Sequence, residues 1–137
     1  MNLSNLIVDS FIQKFSEEDN FCAFSLPLVF KNGTPAILNA HKHPNGDIEL
    51  TDNGLNIYTF RESIGIFNFD AIEKTREFAS NFQNIRVVDQ SLISVSNVDH
   101  LAFDLMDYSD VIRQMINFNP KHKSNDMTKI LEQLTVS

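Results

Sequence analysis

Two histidines and two acidic residues in one short stretch have the types and spacing that metal chemistry needs: His41, His43, Asp47 and Glu49. Neutral imidazole nitrogens and carboxylate oxygens are ligands that zinc, manganese and iron accept. With open coordination positions, the bound ion would activate water for hydrolysis. The set therefore predicts a metal-binding domain or a metal-dependent hydrolase with a divalent cofactor such as zinc or manganese. The alternative is a solvated sheet face, on which a cross-strand histidine–carboxylate pair contributes about 0.2–1 kcal/mol.

A predicted β-hairpin positions these four side chains. Its turn, Pro44-Asn45-Gly46, combines the preset φ of proline with a glycine for the left-handed position, which is typical of a three-residue loop with a bulge. A two-residue loop would mix polar and apolar side chains on both faces. The predicted opposing pairs, all on one face, are His43–Asp47, His41–Glu49 and Asn39–Thr51. The other face, expected on the core side, holds Leu38, Ala40, Ile48 and Leu50.

The hairpin ends in the motif Leu50-Thr51-Asp52-Asn53-Gly54, and a helical pattern follows from residue 55 to Gly65. We expect Asp52 or Asn53 to accept N–H groups at the start of this helix. The motif and the order of elements resemble a family of small domains of unknown function from bacteria and their phages. That family has an N-terminal helix, a strand ending near a proline, a glycine-containing turn, and a strand that finishes in Leu-Thr-Asp-x-Gly before a helix. The resemblance extends over residues 5–118 and implies this fold and a bacterial or phage origin, but it transfers no catalytic residues.

Hydrophobic periodicity predicts the remaining elements. Helices are expected over residues 3–15, from Asn68 or Asp70 to residue 83, and over residues 98–118, and strands over residues 21–30, 85–89 and 92–95. Ser96 followed by Asp99 resembles a capping box, and Pro27 places its strand at a sheet edge or in a bulge because proline lacks an N–H. The predicted fold class is α+β, a small antiparallel β-meander plus a second short hairpin, with helices packed on one face. Residues 1–119 are expected to form a single domain.

Residues 120–137 are predicted to form a linker and a short amphipathic C-terminal helix. The apolar stripe of that helix lies within residues 127–134. Alone, such a short helix is marginally stable, so it would dock on the domain or meet a partner. A homodimer through residues 127–134 is one such arrangement.

Two further sets of residues suggest catalysis. Asp47, Glu49 and Asp52 resemble an acidic magnesium site of a nuclease, but such sites normally include a lysine, and Lys42 projects to the opposite face in the predicted register. Cys22 with a histidine would be a nucleophile pair. Its position on the apolar side of a strand favours a core role instead. None of the catalytic sets is complete, which favours a non-enzymatic function.

The formal net charge of −7 and the pI of about 4.9 oppose binding to nucleic acid or to an anionic membrane. On the helix predicted over residues 98–118, four aspartates lie opposite the apolar stripe: Asp99, Asp104, Asp107 and Asp110. They form either an ordinary solvent face or carboxylates presented to a basic partner. The single cysteine excludes an internal disulfide, and neither a leader peptide nor a membrane-spanning run is apparent, so we expect a cytoplasmic protein.

The main hypothesis is a non-enzymatic acidic binding module of bacterial or phage origin that needs no cofactor. It would act by protein–protein contact through the four aspartates, for example to inhibit or regulate a nucleic-acid-handling or defence complex. The alternative is the metal-binding or hydrolase function of the histidine-bearing sheet face.

Overall fold

The computed structural model describes residues 13–18, as backbone alone, and residues 20–120. Their element order is β1 (Gln13–Glu18), β2 (Phe21–Val29), β3 (Pro35–Lys42), β4 (Ile48–Thr51), α1 (Leu55–Ile64), α2 (Ala71–Ala79), β5 (Ile85–Val88), β6 (Ser91–Ser96) and α3 (Leu101–Asn117). Among these residues, no helix has both the length and the apolar composition that crossing a bilayer requires.

The described strands form one antiparallel sheet in the order β1-β2-β3-β4-β6-β5. The meander and the second hairpin share this sheet because β6 pairs with β4, from Ile48 opposite Ser96 to Thr51 opposite Ile93. The helices pack on one face of the sheet, and the predicted α+β class is confirmed.

The predicted register of the β3–β4 hairpin is also confirmed. His41 lies opposite Glu49, and the His43 N–H donates to the Asp47 carbonyl oxygen at 2.8 Å. Gly46 has a φ of 95°, the left-handed conformation that its place in the turn requires. The predicted core side of the hairpin is fully buried: Leu38, Ala40, Ile48 and Leu50.

Pro27 lies in an interior strand, since β2 is flanked by β1 and β3. The register between β2 and β3 shifts between Ser25 and Val29, the stretch that contains the proline. Of the two predicted arrangements, the structure therefore has the irregularity and not the edge. This fits the chemistry of proline, which has no N–H to offer to a ladder.

The predicted N-terminal helix over residues 3–15 is wrong where the structure describes it. Residues 13–18 form β1, which pairs with β2 from Gln13 opposite Ser25 to Glu18 opposite Phe21. This pairing satisfies backbone N–H and C=O groups along the outer side of β2, and it outweighs the helical spacing of the local apolar residues. Residues 3–12 lie outside the described residues, as do the predicted helix and homodimer contact at 127–134.

The helix ends follow local hydrogen-bonding chemistry. α1 has its predicted bounds and ends at Gly65, whose φ is 68°. α2 ends at Ala79, earlier than predicted. α3 begins later than predicted, because the Asn97 side-chain oxygen accepts from the His100 N–H at 3.0 Å. The predicted capping box at Ser96 is wrong, since Ser96 is a buried residue of β6 and not the start of the helix.

Candidate functional site

The outer side of α3 combines carboxylates with two large apolar side chains. The Phe103 residue is 67% exposed and Met106 is 58% exposed. Met106 follows Phe103 by three residues and Asp110 follows Met106 by four, so these three share one side of the helix, and Asp99 lies in the turn before α3. Asp107, partly exposed, lies beside Met106. We call Asp99, Phe103, Met106, Asp107 and Asp110 the outer ridge of α3.

Asp104 does not belong to this ridge, which corrects its predicted place among the partner-binding aspartates. The residue is 3% exposed, and its Oδ1 accepts a hydrogen bond from Asn84 Nδ2 at 3.2 Å. Asp104 follows Leu101 by three residues and precedes Tyr108 by four, and both of these neighbours are buried. The buried stripe of α3 is therefore wider than the apolar residues alone indicate. The helical spacing of Asp104 from Leu101 and Tyr108 is the feature of the sequence that indicates its burial.

The carboxylates of the ridge influence one another. Partial desolvation raises the pKa of Asp107, and the negative charges of Asp104 and Asp110 raise it further. Arg113 contacts the Asp110 carboxylate one turn further along the helix. Because three carboxylates surround the two apolar side chains, the ridge keeps an acidic character beside this one cation.

The hairpin brings together three of the four predicted metal ligands. The ring centroids of His41 and His43 are 4.4 Å apart, and His43 Nε2 lies 3.7 Å from Glu49 Oε2. Asp47 is turned toward the loop, where its Oδ2 accepts from Asn45 Nδ2 at 3.1 Å. In the part of the chain that the structure describes, no group of three or more histidine, cysteine, aspartate or glutamate side chains is already arranged to hold a metal ion.

Asp52 has a structural position. It is fully buried, and its Oδ1 accepts from Gly54 N at 2.8 Å and from Leu92 N at 3.0 Å, while its Oδ2 accepts from Asn56 N at 3.1 Å. The predicted helix-start acceptor is thus Asp52, which also ties α1 to β6. Burial raises the pKa of Asp52, and these N–H bonds offset part of that rise. Its burial removes it from the hypothetical magnesium set with Glu49.

Asn56 and Tyr108 extend this buried network. The Asn56 side chain pairs with the backbone of Ile37, accepting from its N–H at 2.9 Å and donating to its carbonyl oxygen at 2.8 Å. The Tyr108 hydroxyl donates to the Leu92 carbonyl oxygen at 2.7 Å, and burial raises the pKa of Tyr108 well above its ordinary value. Cys22 is also fully buried, as a core residue, and this removes it as an accessible nucleophile.

Comparisons with family models, with curated proteins and with solved structures returned no match for this chain. These comparisons do not bear on the resemblance to the bacterial and phage domain family.

Proposed function

We propose that this protein is a non-enzymatic acidic binding module that docks the outer ridge of α3 into a groove of another protein. The observation that carries the proposal is the exposure of Phe103 and Met106 side by side on one helix. Fully burying such a side chain in a partner contributes about 1.5–3 kcal/mol. Apolar anchors three or four residues apart are the pattern by which helices enter apolar grooves.

The charges around these anchors define the chemistry of the partner. Asp99, Asp107 and Asp110 flank the apolar pair, and the chain carries a formal charge of −7. A groove with an apolar floor and lysine or arginine on its rim complements this arrangement, and long-range attraction would raise the association rate. Proteins that handle nucleic acid carry basic surfaces, so we propose a partner in a nucleic-acid-handling or defence complex, with which the bacterial and phage resemblance is consistent.

The test places a photo-crosslinking residue at position 103 and, as a control, at position 67. Phe67 is the same residue type and is 91% exposed, but it lies in the loop between α1 and α2. We expect crosslinking at 103 to yield one host protein in defined stoichiometry and crosslinking at 67 to yield none. The captured protein is then purified, and its affinity is measured for the wild type, Phe103→Ser/Met106→Ser and Phe67→Ser.

The double substitution should reduce affinity at least about tenfold, while Phe67→Ser should leave it unchanged, because hot-spot energy concentrates in a few central anchors. Raising the salt concentration should slow association, and Asp107→Asn/Asp110→Asn should weaken that salt dependence. Equal affinity of both serine variants, or binding that does not respond to salt, would contradict the proposed surface. Circular dichroism melts of each variant establish that the fold is retained.

A further inference from the structure

We propose that His41, His43 and Glu49 form a binding site for a borderline divalent transition-metal ion, such as Zn²⁺, Ni²⁺ or Cu²⁺, on the outer face of the sheet. This site lies on the β3–β4 hairpin, and the inference does not depend on the proposed function of α3. Its basis is the approach of two imidazole rings and one carboxylate from adjacent strands.

The two imidazoles converge more than the strand alone would require. Residues separated by two positions on a strand lie about 6.6 Å apart along it. The ring centroids of His41 and His43 are 4.4 Å apart, with a 57° angle between the ring planes. Side-chain torsions have thus brought the two rings into contact on the surface. Two imidazoles at this separation are within reach of a single ion through small changes in those torsions.

Glu49 completes the set because of its place in the register. It lies directly opposite His41, yet its Oε2 is 3.7 Å from the Nε2 of His43, the diagonal neighbour. Two ligand atoms bound tetrahedrally to one zinc ion are about 3.3 Å apart, given metal–ligand distances of about 2.0–2.1 Å. The observed separation exceeds that value by a few tenths of an ångström. The ligands are therefore not held in final geometry, and the bound ion draws them together.

Asp47 is one of the four predicted metal ligands, but it does not belong to the inferred site. Its carboxylate accepts from the Asn45 side chain, and its N–H donates to Asn45 Oδ1 at 2.9 Å, so both groups stabilise the turn. His43 and Glu49 keep 38% and 46% of their side-chain surface exposed, which leaves the ion accessible and its remaining positions open to water. Two nitrogens and one oxygen favour borderline ions over Mg²⁺ or Ca²⁺, which prefer oxygen ligands.

The test is calorimetric titration of the full chain, treated with chelator and dialysed, with each metal salt alone at pH 7.5. We expect one ion per chain, tighter binding of Cu²⁺ than of Ni²⁺, and no heat from Mg²⁺. His41→Ala and His43→Ala should each weaken Ni²⁺ and Zn²⁺ binding by about tenfold or more, and Glu49→Gln should weaken Zn²⁺ binding by a smaller factor.

Two matched controls separate this site from general metal adsorption. His100→Ala removes an exposed histidine elsewhere, at the start of α3, and Asp47→Asn changes a carboxylate of the same hairpin that the inferred site does not use. Both should bind metal as the wild type does. In NMR spectra, Cu²⁺ should broaden the ring signals of His41 and His43, which shows directly where the ion binds. Wild-type binding that is absent, or a loss in His100→Ala equal to that in His41→Ala, would overturn the inference.

Discussion

Asp52→Asn tests whether the buried carboxylate holds the hairpin, α1 and β6 together. The substitution keeps the shape of the side chain and turns one acceptor into a donor. If the amide oxygen takes the place of Oδ1, it still accepts from Gly54 N and Leu92 N. The new amide nitrogen then faces the N–H of Asn56, which in the wild type donates to Asp52 Oδ2 at 3.1 Å. Donor meets donor at that point, and the N–H of Asn56 loses its side-chain acceptor.

The expected magnitude follows from the number of bonds affected. A hydrogen bond to a charged group contributes about 1.5–3 kcal/mol, and a buried group left without a partner costs about 1–3 kcal/mol. Asp52→Asn loses one such bond but avoids the desolvation of a carboxylate, so we expect the free energy of unfolding to fall by about 2 kcal/mol. Asp52→Ala removes the acceptor for all three N–H groups, and we expect a loss of about 4 kcal/mol. Since small domains have about 5–15 kcal/mol of stability, the alanine variant approaches the limit of folding.

The assay is urea unfolding of the full chain at pH 7, followed by circular dichroism. Asp47→Asn is the matched control, because it makes the same chemical change on the exposed face of the same hairpin, and it should change stability by less than about 0.5 kcal/mol. The reasoning is refuted if Asp52→Asn is as stable as the wild type. It is refuted equally if Asp52→Ala is no less stable than Asp52→Asn.

Three further substitutions probe other parts of the fold. Tyr108→Phe removes the hydroxyl that donates to a β6 carbonyl at 2.7 Å, and it should lower the free energy of unfolding by about 1–2 kcal/mol in the same urea assay. Gly54→Ala forces a residue with a Cβ into a φ of 84° and places that atom 3.2 Å from the Gln90 carbonyl oxygen. Gly46→Ala has a similar φ of 95°, but its Cβ meets open space. Thermal melts should therefore show a larger drop in melting temperature for Gly54→Ala than for Gly46→Ala. Asp107→Asn should raise the free energy of unfolding at pH 7, because it removes an ionised carboxylate that partial desolvation and the charges of Asp104 and Asp110 disfavour. Screening by solvent keeps the expected gain below about 0.5 kcal/mol. The pKa of Asp107 is higher in the folded state than its unfolded value of about 3.9, so ionisation of this carboxyl destabilises the fold. The stability of the protonated form is fully present below the unfolded pKa and is lost as the pH rises through the folded pKa. The gain from Asp107→Asn should therefore vanish near pH 3 in a pH series of urea titrations.

The β3–β4 hairpin could be predicted in detail because its determinants are local. The turn residues set the loop length, and alternation along the strands then decides which side chains are buried. The same holds for α1, whose apolar residues and terminal Gly65 are adjacent in sequence. The pairing of His41 with Glu49 follows from this register alone.

The features that the sequence did not predict depend on distant partners. Residues 13–15 belong to the helix predicted over residues 3–15, but β2 offers the segment at 13–18 hydrogen-bonding groups that only the folded sheet presents. Asp104 meets Asn84 across twenty positions, and Asp52 meets Leu92 across forty. Carboxylates are mostly exposed, so composition gives no sign that either is buried. Inside the fold, three N–H groups satisfy Asp52, whereas among the described residues Asp104 receives a donor at Oδ1 alone and its buried Oδ2 has none. Phe103 and Met106 are exposed because their positions fall outside the stripe of α3 that reaches the core.

The two faces of the β3–β4 hairpin separate stability from metal binding. Asp52 closes the core-side network next to Leu50, whereas His41 and Glu49 project from the opposite face. Alternation along β4 and the residue that follows it thus directs a structural carboxylate to the core and a candidate metal ligand to the outer face. Asp52→Asn should therefore lower the free energy of unfolding and leave Ni²⁺ affinity in the folded protein unchanged. His41→Ala should weaken Ni²⁺ binding and leave the free energy of unfolding unchanged. If Asp52→Asn also weakened Ni²⁺ binding while the protein remained folded, the two faces would be coupled through the backbone of the hairpin, and the metal site would depend on the anchoring of β4 by the buried network.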